Sequence, residues 1–144
     1  MYEDATSLEK PSTDHLRILC FLLSENFAVA RELRKQVPYC TTRAVHGWAN
    51  TFDIRVDPRA PKAPVQVFVP VEAHYRNAER SRSLDLSGGP GSGGLIEILL
   101  HVSDDGYLQY VEQILAVPPE LFGPLPDITE FEHRIREWTF LDEA

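Results

Sequence analysis

The sequence has few cysteines, no long apolar run and few basic residues in its last third. Only Cys20 and Cys40 are cysteines among 144 residues, which excludes a small disulfide-stapled fold and predicts two buried free thiols. The longest apolar run, 18–23, covers six residues, far fewer than the roughly 18 needed to span a bilayer. The first residues are acidic and show no signal-peptide pattern. We therefore predict a cytoplasmic protein that does not enter a membrane.

Negative charge is concentrated near the C-terminus. Residues 97–144 hold 11 acidic and two basic side chains, whereas residues 1–96 hold 11 acidic and 12 basic ones, and the net charge is −8. An acidic surface repels phosphate backbones, which argues against nucleic acid as a partner. Small basic groups at 31–35 and 76–82 are typical of solvated faces.

The apolar periodicity predicts one α+β domain over 12–144 after a flexible tail over 1–11. We expect two N-terminal helices on a four- to five-stranded, mainly antiparallel sheet, followed by a short C-terminal helix over 128–138. That last helix follows the capping residue Asp127. It is predicted from apolar residues at helical spacing: Ile128, Phe131, Ile135 and Trp138.

The first two helices are predicted at 14–24 and 28–36. The first follows a helix-start signal at 11–14. Its core stripe is formed by residues at positions i, i+3, i+4 and i+7: Leu16, Leu19, Cys20 and Leu23. The second ends before Pro38, because proline disfavours helical geometry in the preceding residue.

From residue 39 the apolar period changes to two. We predict a strand over 39–45, a turn at 46–50, and a half-buried strand over 51–57 with Phe52, Ile54 and Val56 inward. The β-rich segment 65–73 contains Pro70, which favours an edge strand or a bulge.

The strongest local signal is a hairpin over 95–103 and 107–116, with Asp104-Asp105-Gly106 between its strands. Aspartate and glycine suit such turns because glycine adopts positive φ at no steric cost. Residues 77–94 before it are polar and glycine-rich, and predict a mobile surface loop with a short strand near 84–86. Gly89–Gly94 matches a dinucleotide-binding pattern only formally, since it precedes a strand rather than opening a helix.

No pattern indicates catalysis. Cys40, His46 and Asp53 have the side chains of a nucleophile, a base and an orienting acid, but lack any local signature of such a triad. We therefore predict a protein that is not an enzyme and has no cofactor.

A metal site is a weaker alternative. Glu72 and His74 share one face of a strand, and Glu97 and His101 share one face of another. If these strands pair, the two histidines would meet beside two carboxylates, a ligand set suited to Zn²⁺ or Fe²⁺. A solvated polar sheet face explains the same residues, and no metal-binding spacing is present.

Trp48 is the main candidate binding residue. It follows His46-Gly47 in a predicted turn, where small polar residues are usual. An exposed tryptophan would anchor an interface, whereas a tryptophan folded onto the core would be structural. Tyr107 and Tyr110 present the same two alternatives on the second hairpin strand.

The stretch Leu99-Leu-His-Val-Ser-Asp-Asp-Gly-Tyr-Leu-Gln-Tyr-Val-Glu112, followed by prolines up to Leu125-Pro-Asp127, resembles a group of small uncharacterised bacterial proteins with a Leu-Leu, Asp-Gly-Tyr-Leu, Leu-Glu hairpin. The resemblance extends to 14–57 and implies a fold without a known activity. Those relatives often carry a Cys-Gly-Cys-Pro-like turn where this chain has His46-Gly47-Trp48-Ala49, so no thiol or metal role of that turn carries over.

Our leading hypothesis is a non-enzymatic protein-interaction module, immunity- or regulator-like by analogy, that binds a basic partner protein through its sheet face and the Trp48 turn. One alternative is a small-molecule-binding or metal-dependent enzyme that uses His74, Glu97 and His101. Another is a homodimeric structural subunit that buries an open sheet face between its copies.

Overall fold

The computed structural model describes residues 8–48, 50–64, 68–75, 96–115 and 125–135. These residues form an α+β fold, which confirms the predicted class. The helices and strands are α1 (Thr13–Leu22), α2 (Ala30–Gln36), β1 (Cys40–Ala44), β2 (Phe52–Val56), β3 (Val71–Tyr75), β4 (Ile96–Val102), β5 (Leu108–Leu115) and β6 (Phe131–Ile135). No helix in this part of the chain has the length and apolar character needed to cross a membrane.

The strands form one antiparallel sheet in the order β1-β2-β5-β4-β3-β6. Within the described ranges the sheet therefore has six strands rather than the four or five expected. β3 is an interior strand between β4 and β6 and begins directly after Pro70, so the predicted edge position is wrong. Residues 65–67 of that β-rich segment lie outside the described residues. At the β1 edge, the Glu9 and Thr42 backbones exchange two hydrogen bonds of 3.0 and 2.7 Å.

Alternation along the strands divides the sheet into a core face and a polar face. The strand prediction for 51–57 is confirmed, since its three inward residues are buried. The core face includes Phe52, Ile54, Val56, Val71, Ala73, Tyr75, Ile96, Ile98, Leu100 and Val111. The polar face includes Arg43, Asp53, Glu72, His74, Glu97, Leu99, His101, Tyr110, Glu112 and Ile114.

Helix α1 packs on the core face and reaches both β2 and β6. Its N-cap is Ser12, whose hydroxyl accepts the His15 backbone N–H at 3.1 Å, as the helix-start signal predicts. The His15 ring stacks on Phe52 with 3.9 Å between centroids, and the Phe21 ring stacks on His133 at 4.1 Å. These two stacks fix the helix against strands at both ends of its length.

The buried side of α1 differs from the predicted stripe. Ile18, Leu19, Leu22 and Leu23 are buried, whereas Leu16 and Cys20 are exposed. Apolar residues occupy more than one side of this helix. The side that carries Ile18 and Leu22 faces the sheet, where His15 stacks on Phe52 of β2. The prediction that both cysteines are buried is therefore wrong for Cys20.

Helix α2 follows the prediction and ends at Gln36, before Pro38. Gln36 is fully buried. Its amide nitrogen donates to the carbonyls of Pro61 (2.9 Å) and Gly106 (2.7 Å), and its amide oxygen accepts the Leu108 N–H (2.8 Å). One side chain thus links the end of α2 to a loop, to the β4–β5 turn and to β5.

The C-terminal helix predicted over 128–138 is wrong within the described residues. Asp127 does act as a cap, but on a short 3-10 turn at 128–130, and residues 131–135 form β6. β6 pairs with β3 over five residues, from Phe131 opposite Tyr75 to Ile135 opposite Val71. Phe131 and Ile135 satisfy the strand period as well as the helical one, so pairing with β3 decides between the two.

The β4–β5 hairpin is confirmed, with strands at 96–102 and 108–115. The predicted loop at 77–94, its short strand near 84–86 and Trp138 lie outside the described residues, as do residues 1–7 of the predicted tail. The single-domain boundary stays a prediction.

Candidate functional site

The β1–β2 turn holds Trp48 in solvent. Trp48 is 65% exposed, the most exposed of the large apolar side chains that the structure describes. Hydrogen bonds brace the turn: the Val45 N–H donates to the Thr51 carbonyl at 3.0 Å and the Trp48 N–H to the Val45 carbonyl at 3.1 Å. Gly47 has a φ of +84°, a conformation that glycine adopts readily. Hydrogen bonds among the described residues of the turn therefore hold the Trp48 backbone in place.

Asn50 ties the same turn to the sheet. Its φ of 54° lies in the left-handed region that asparagine tolerates better than most residues. Its side-chain amide donates to Gln113 on β5 at 2.7 Å, and the Gln113 N–H donates to the Thr51 hydroxyl at 3.1 Å. The turn thus has side-chain contacts to a neighbouring strand as well as its own backbone bonds.

A cavity of about 290 Å³ lies beside this turn, between α1 and the segment before β6. Asn50 belongs to its wall, so one residue of the β1–β2 turn borders the cavity. Its charged lining residues are Asp14, Arg17 and Asp127. Its remaining lining residues are Ile18, Ile98, Leu125, Pro126, Ile128 and Phe131.

Arg17 and Asp127 join the two walls of the cavity. The guanidinium donates to both carboxylate oxygens, at 2.8 and 2.9 Å. This pairing, with a smaller effect from the Thr129 hydroxyl and N–H, holds the pKa of Asp127 well below its usual range. Asp127 therefore remains ionised at any physiological pH, and one cavity wall keeps its negative charge.

The structure brings together only two of the four predicted binding residues. His46 and Trp48 are both exposed in the β1–β2 turn. Tyr107 lies at the other end of β2, where its hydroxyl is 3.4 Å from the Pro58 carbonyl. Tyr110 lies on the polar face, with its ring 5.3 Å from the His101 ring. Whether any of the four binds a partner stays a prediction.

The polar face brings together part of the predicted metal-ligand set. β3 and β4 pair so that His74 lies opposite Glu97, and Glu72 lies two residues from His74 on the same face. One ligand atom from each of these three side chains lies within 4.8 Å of the other two. Glu72 and His74 are buried, and their carboxylate oxygen and Nε2 are 2.7 Å apart.

His101 does not join this group, contrary to the conditional prediction. The register opposes Glu72 to Leu99, so His101 falls beyond the group along β4. Its Nε2 is instead 3.0 Å from the carboxylate of Glu112 on β5. The two strands do pair, which is the condition of that prediction, but their register keeps the two histidines apart.

The structure does not assemble Cys40, His46 and Asp53 as a triad. Cys40 is buried on the core face at the start of β1, whereas Asp53 lies on the polar face and forms a 2.9 Å ion pair with Arg43. His46 is in the turn beyond the other end of β1. Opposite faces and opposite strand ends keep these side chains apart.

The two cysteines should differ sharply in reactivity. Burial raises the pKa of the Cys40 thiol to about 11, so only about one molecule in a thousand carries the thiolate at pH 8. Cys20 is exposed. We expect one thiol per native chain to react rapidly with a disulfide reagent and the second to react only on unfolding. Fast labelling that persists in Cys20→Ser would contradict this assignment.

Sequence reasoning missed the cavity and its Arg17–Asp127 bridge. The paired residues are 110 positions apart, and no local pattern connects them. Asp127 gave a recognisable capping signal, but its bond to α1 depends on where the sheet places β6. No protein-family model matches the chain, and neither the curated proteins nor the solved structures include one significantly similar to it. The resemblance of the hairpin to uncharacterised bacterial proteins therefore stays a prediction.

Proposed function

We propose that this protein is a non-enzymatic interaction module that binds a basic protein through Trp48 and the adjacent cavity. The observation that carries the proposal is the 65% exposure of Trp48 on a braced turn. Tryptophan is enriched among the residues that dominate interface energies. A backbone that is already held by hydrogen bonds loses less entropy on binding, which favours affinity.

The charge of the surface supports a basic partner. Of the charged residues that line the cavity, Asp14 and Asp127 are negative and Arg17 is positive, which leaves one net negative charge. The whole chain carries −8. Two copies of so acidic a chain repel each other, whereas a basic protein is attracted and steered to the surface. The charge therefore favours a basic protein over a second copy as the partner.

The compartment is part of the same proposal. Cys20 and Cys40 are both free, and free thiols persist in a reducing environment. We accordingly propose that the module acts in the cytoplasm.

The first test measures how much of the affinity depends on Trp48. The partner is isolated from native lysate with tagged wild-type protein, purified, and titrated by calorimetry with the wild type and two variants. Trp48→Ala should weaken binding by more than about 30-fold, equivalent to about 2 kcal/mol. Tyr39→Ala is the matched control, because Tyr39 is a 43% exposed aromatic residue at the opposite end of β1; it should change affinity by less than about threefold.

The same titrations test the charge argument. Asp14→Asn removes one carboxylate from the cavity lining and should lower the association rate, with a smaller effect in high salt.

Equal affinities of Trp48→Ala and the wild type would refute the proposal even if a protein is captured. A concentration-dependent dimer that Trp48→Ala abolishes would identify a second copy as the occupant and would rule out the basic partner.

A further inference from the structure

We propose that Glu72, His74 and Glu97 bind one divalent transition-metal ion on the polar face of the sheet. The three side chains come from the interior strands β3 and β4, and their ligand atoms all lie within 4.8 Å of one another. They form the one such group of three potential ligands in the described part of the chain. This site is on the opposite face of the sheet from the cavity, so it does not depend on the proposed interaction.

Burial makes a bound cation favourable here. Glu72 and His74 are buried and Glu97 is half-buried. Removing carboxylates from water is costly unless their charge is compensated. A divalent ion coordinated by the imidazole nitrogen would also attract both carboxylates at short range. Burial of the group therefore favours a bound cation.

The donor set indicates the class of metal. One imidazole nitrogen and two carboxylate oxygens suit Zn²⁺, Mn²⁺ or Fe²⁺, whereas Ca²⁺ and Mg²⁺ prefer oxygen donors alone. Ligand atoms in a tetrahedral zinc site lie roughly 3.4 Å apart. The Glu72–His74 separation of 2.7 Å needs to open by less than about 1 Å to match this spacing. Three protein ligands leave a fourth position for water.

Neighbouring strands shape the surroundings of the site. Ile114 on β5 lies opposite Glu97, and Leu99 lies opposite Glu72. Both neighbours are apolar and so do not compete with the carboxylates for a cation, and Ile114 is 42% exposed. On the other side, Glu132 and Arg134 on β6 lie opposite His74 and Glu72, and both are exposed.

The test titrates chelator-treated protein with Zn²⁺ alone and compares two variants. Glu97→Gln keeps the shape of a half-buried side chain and removes one ligand, so it should fold and bind Zn²⁺ more than about tenfold more weakly. His101→Ala is the matched control, because His101 also contacts a glutamate on the polar face but lies outside the group. It should leave the affinity within about twofold of the wild type, with one ion per chain in both.

Cobalt provides an independent readout. Co²⁺ bound at three protein ligands should give visible absorption bands that are lost in Glu97→Gln and retained in His101→Ala. Zinc binding that is equally strong in Glu97→Gln, or that is lost in His101→Ala, would place the ion on other surface residues and overturn the proposal. A wild-type chain that takes up no Zn²⁺ would show that Glu72 and His74 are a structural ion pair.

Discussion

Replacing Gln36 with alanine is expected to lower the free energy of unfolding by about 4 kcal/mol. The alanine variant loses the donor to the Pro61 and Gly106 carbonyls and the acceptor of the Leu108 N–H. Gln36 is fully buried, so these groups lose their partner where water does not replace it readily. Each such loss costs about 1–3 kcal/mol.

Chemical denaturation of Gln36→Ala, Gln36→Met and Lys35→Ala measures this effect. Lys35 is the exposed neighbour on α2, and its variant should stay within about 0.5 kcal/mol of the wild type. Gln36→Met fills most of the volume without the hydrogen bonds, so it should remain about 3 kcal/mol less stable than the wild type. A methionine variant of wild-type stability would show that Gln36 acts through packing alone.

Gln36 also illustrates what the sequence could not predict. The residue ends a helix whose preceding side chains are basic and exposed, and an amide there is typical of a solvated position. Its partners lie 25, 70 and 72 residues away. Elements with a strong local pattern, such as strand 51–57 and the hairpin at 106, were predictable because their period and turn chemistry agree.

The C-terminal segment shows the limit of periodicity. Ile128, Phe131 and Ile135 fit a helix, and the cap at Asp127 supported that reading. A short segment with few apolar residues fits both periods, and pairing with β3 adds backbone bonds to residues about 60 positions earlier. Local propensity carries no information about that partner strand.

The candidate sites were predictable to different extents. Trp48 stood out because tryptophan is unusual in a tight turn, although only the structure places it in solvent. His74 and Glu97 were potential ligands on two strands whose pairing the sequence left open. Their meeting depends on register, which is set by the whole buried face and not by either strand alone, and for this reason His101 was included wrongly.

Gly106→Ala is the second substitution with a large expected effect, about 3 kcal/mol of lost stability. Gly106 has a φ of +89° and closes the β4–β5 turn, with its N–H donating to the Ser103 carbonyl at 3.0 Å. An added Cβ would lie less than 3.0 Å from the Ala63 carbonyl oxygen. The left-handed conformation therefore costs the alanine variant about 1–2 kcal/mol. The contact with Ala63 adds a further cost, because the Ala63 backbone, and not a flexible side chain, must move.

Gly47→Ala separates these two costs. Gly47 also has a positive φ, +84°, but a Cβ there would meet no atom within 4 Å, so its alanine variant should lose only the roughly 1–2 kcal/mol of the left-handed conformation. Equal losses of stability at the two glycines would mean that the Ala63 backbone moves aside without a measurable cost.

Because Gln36 donates to the Gly106 carbonyl at 2.7 Å, displacement of the turn should also weaken that bond. The double variant Gln36→Ala/Gly106→Ala should therefore be destabilised by less than the sum of the single changes.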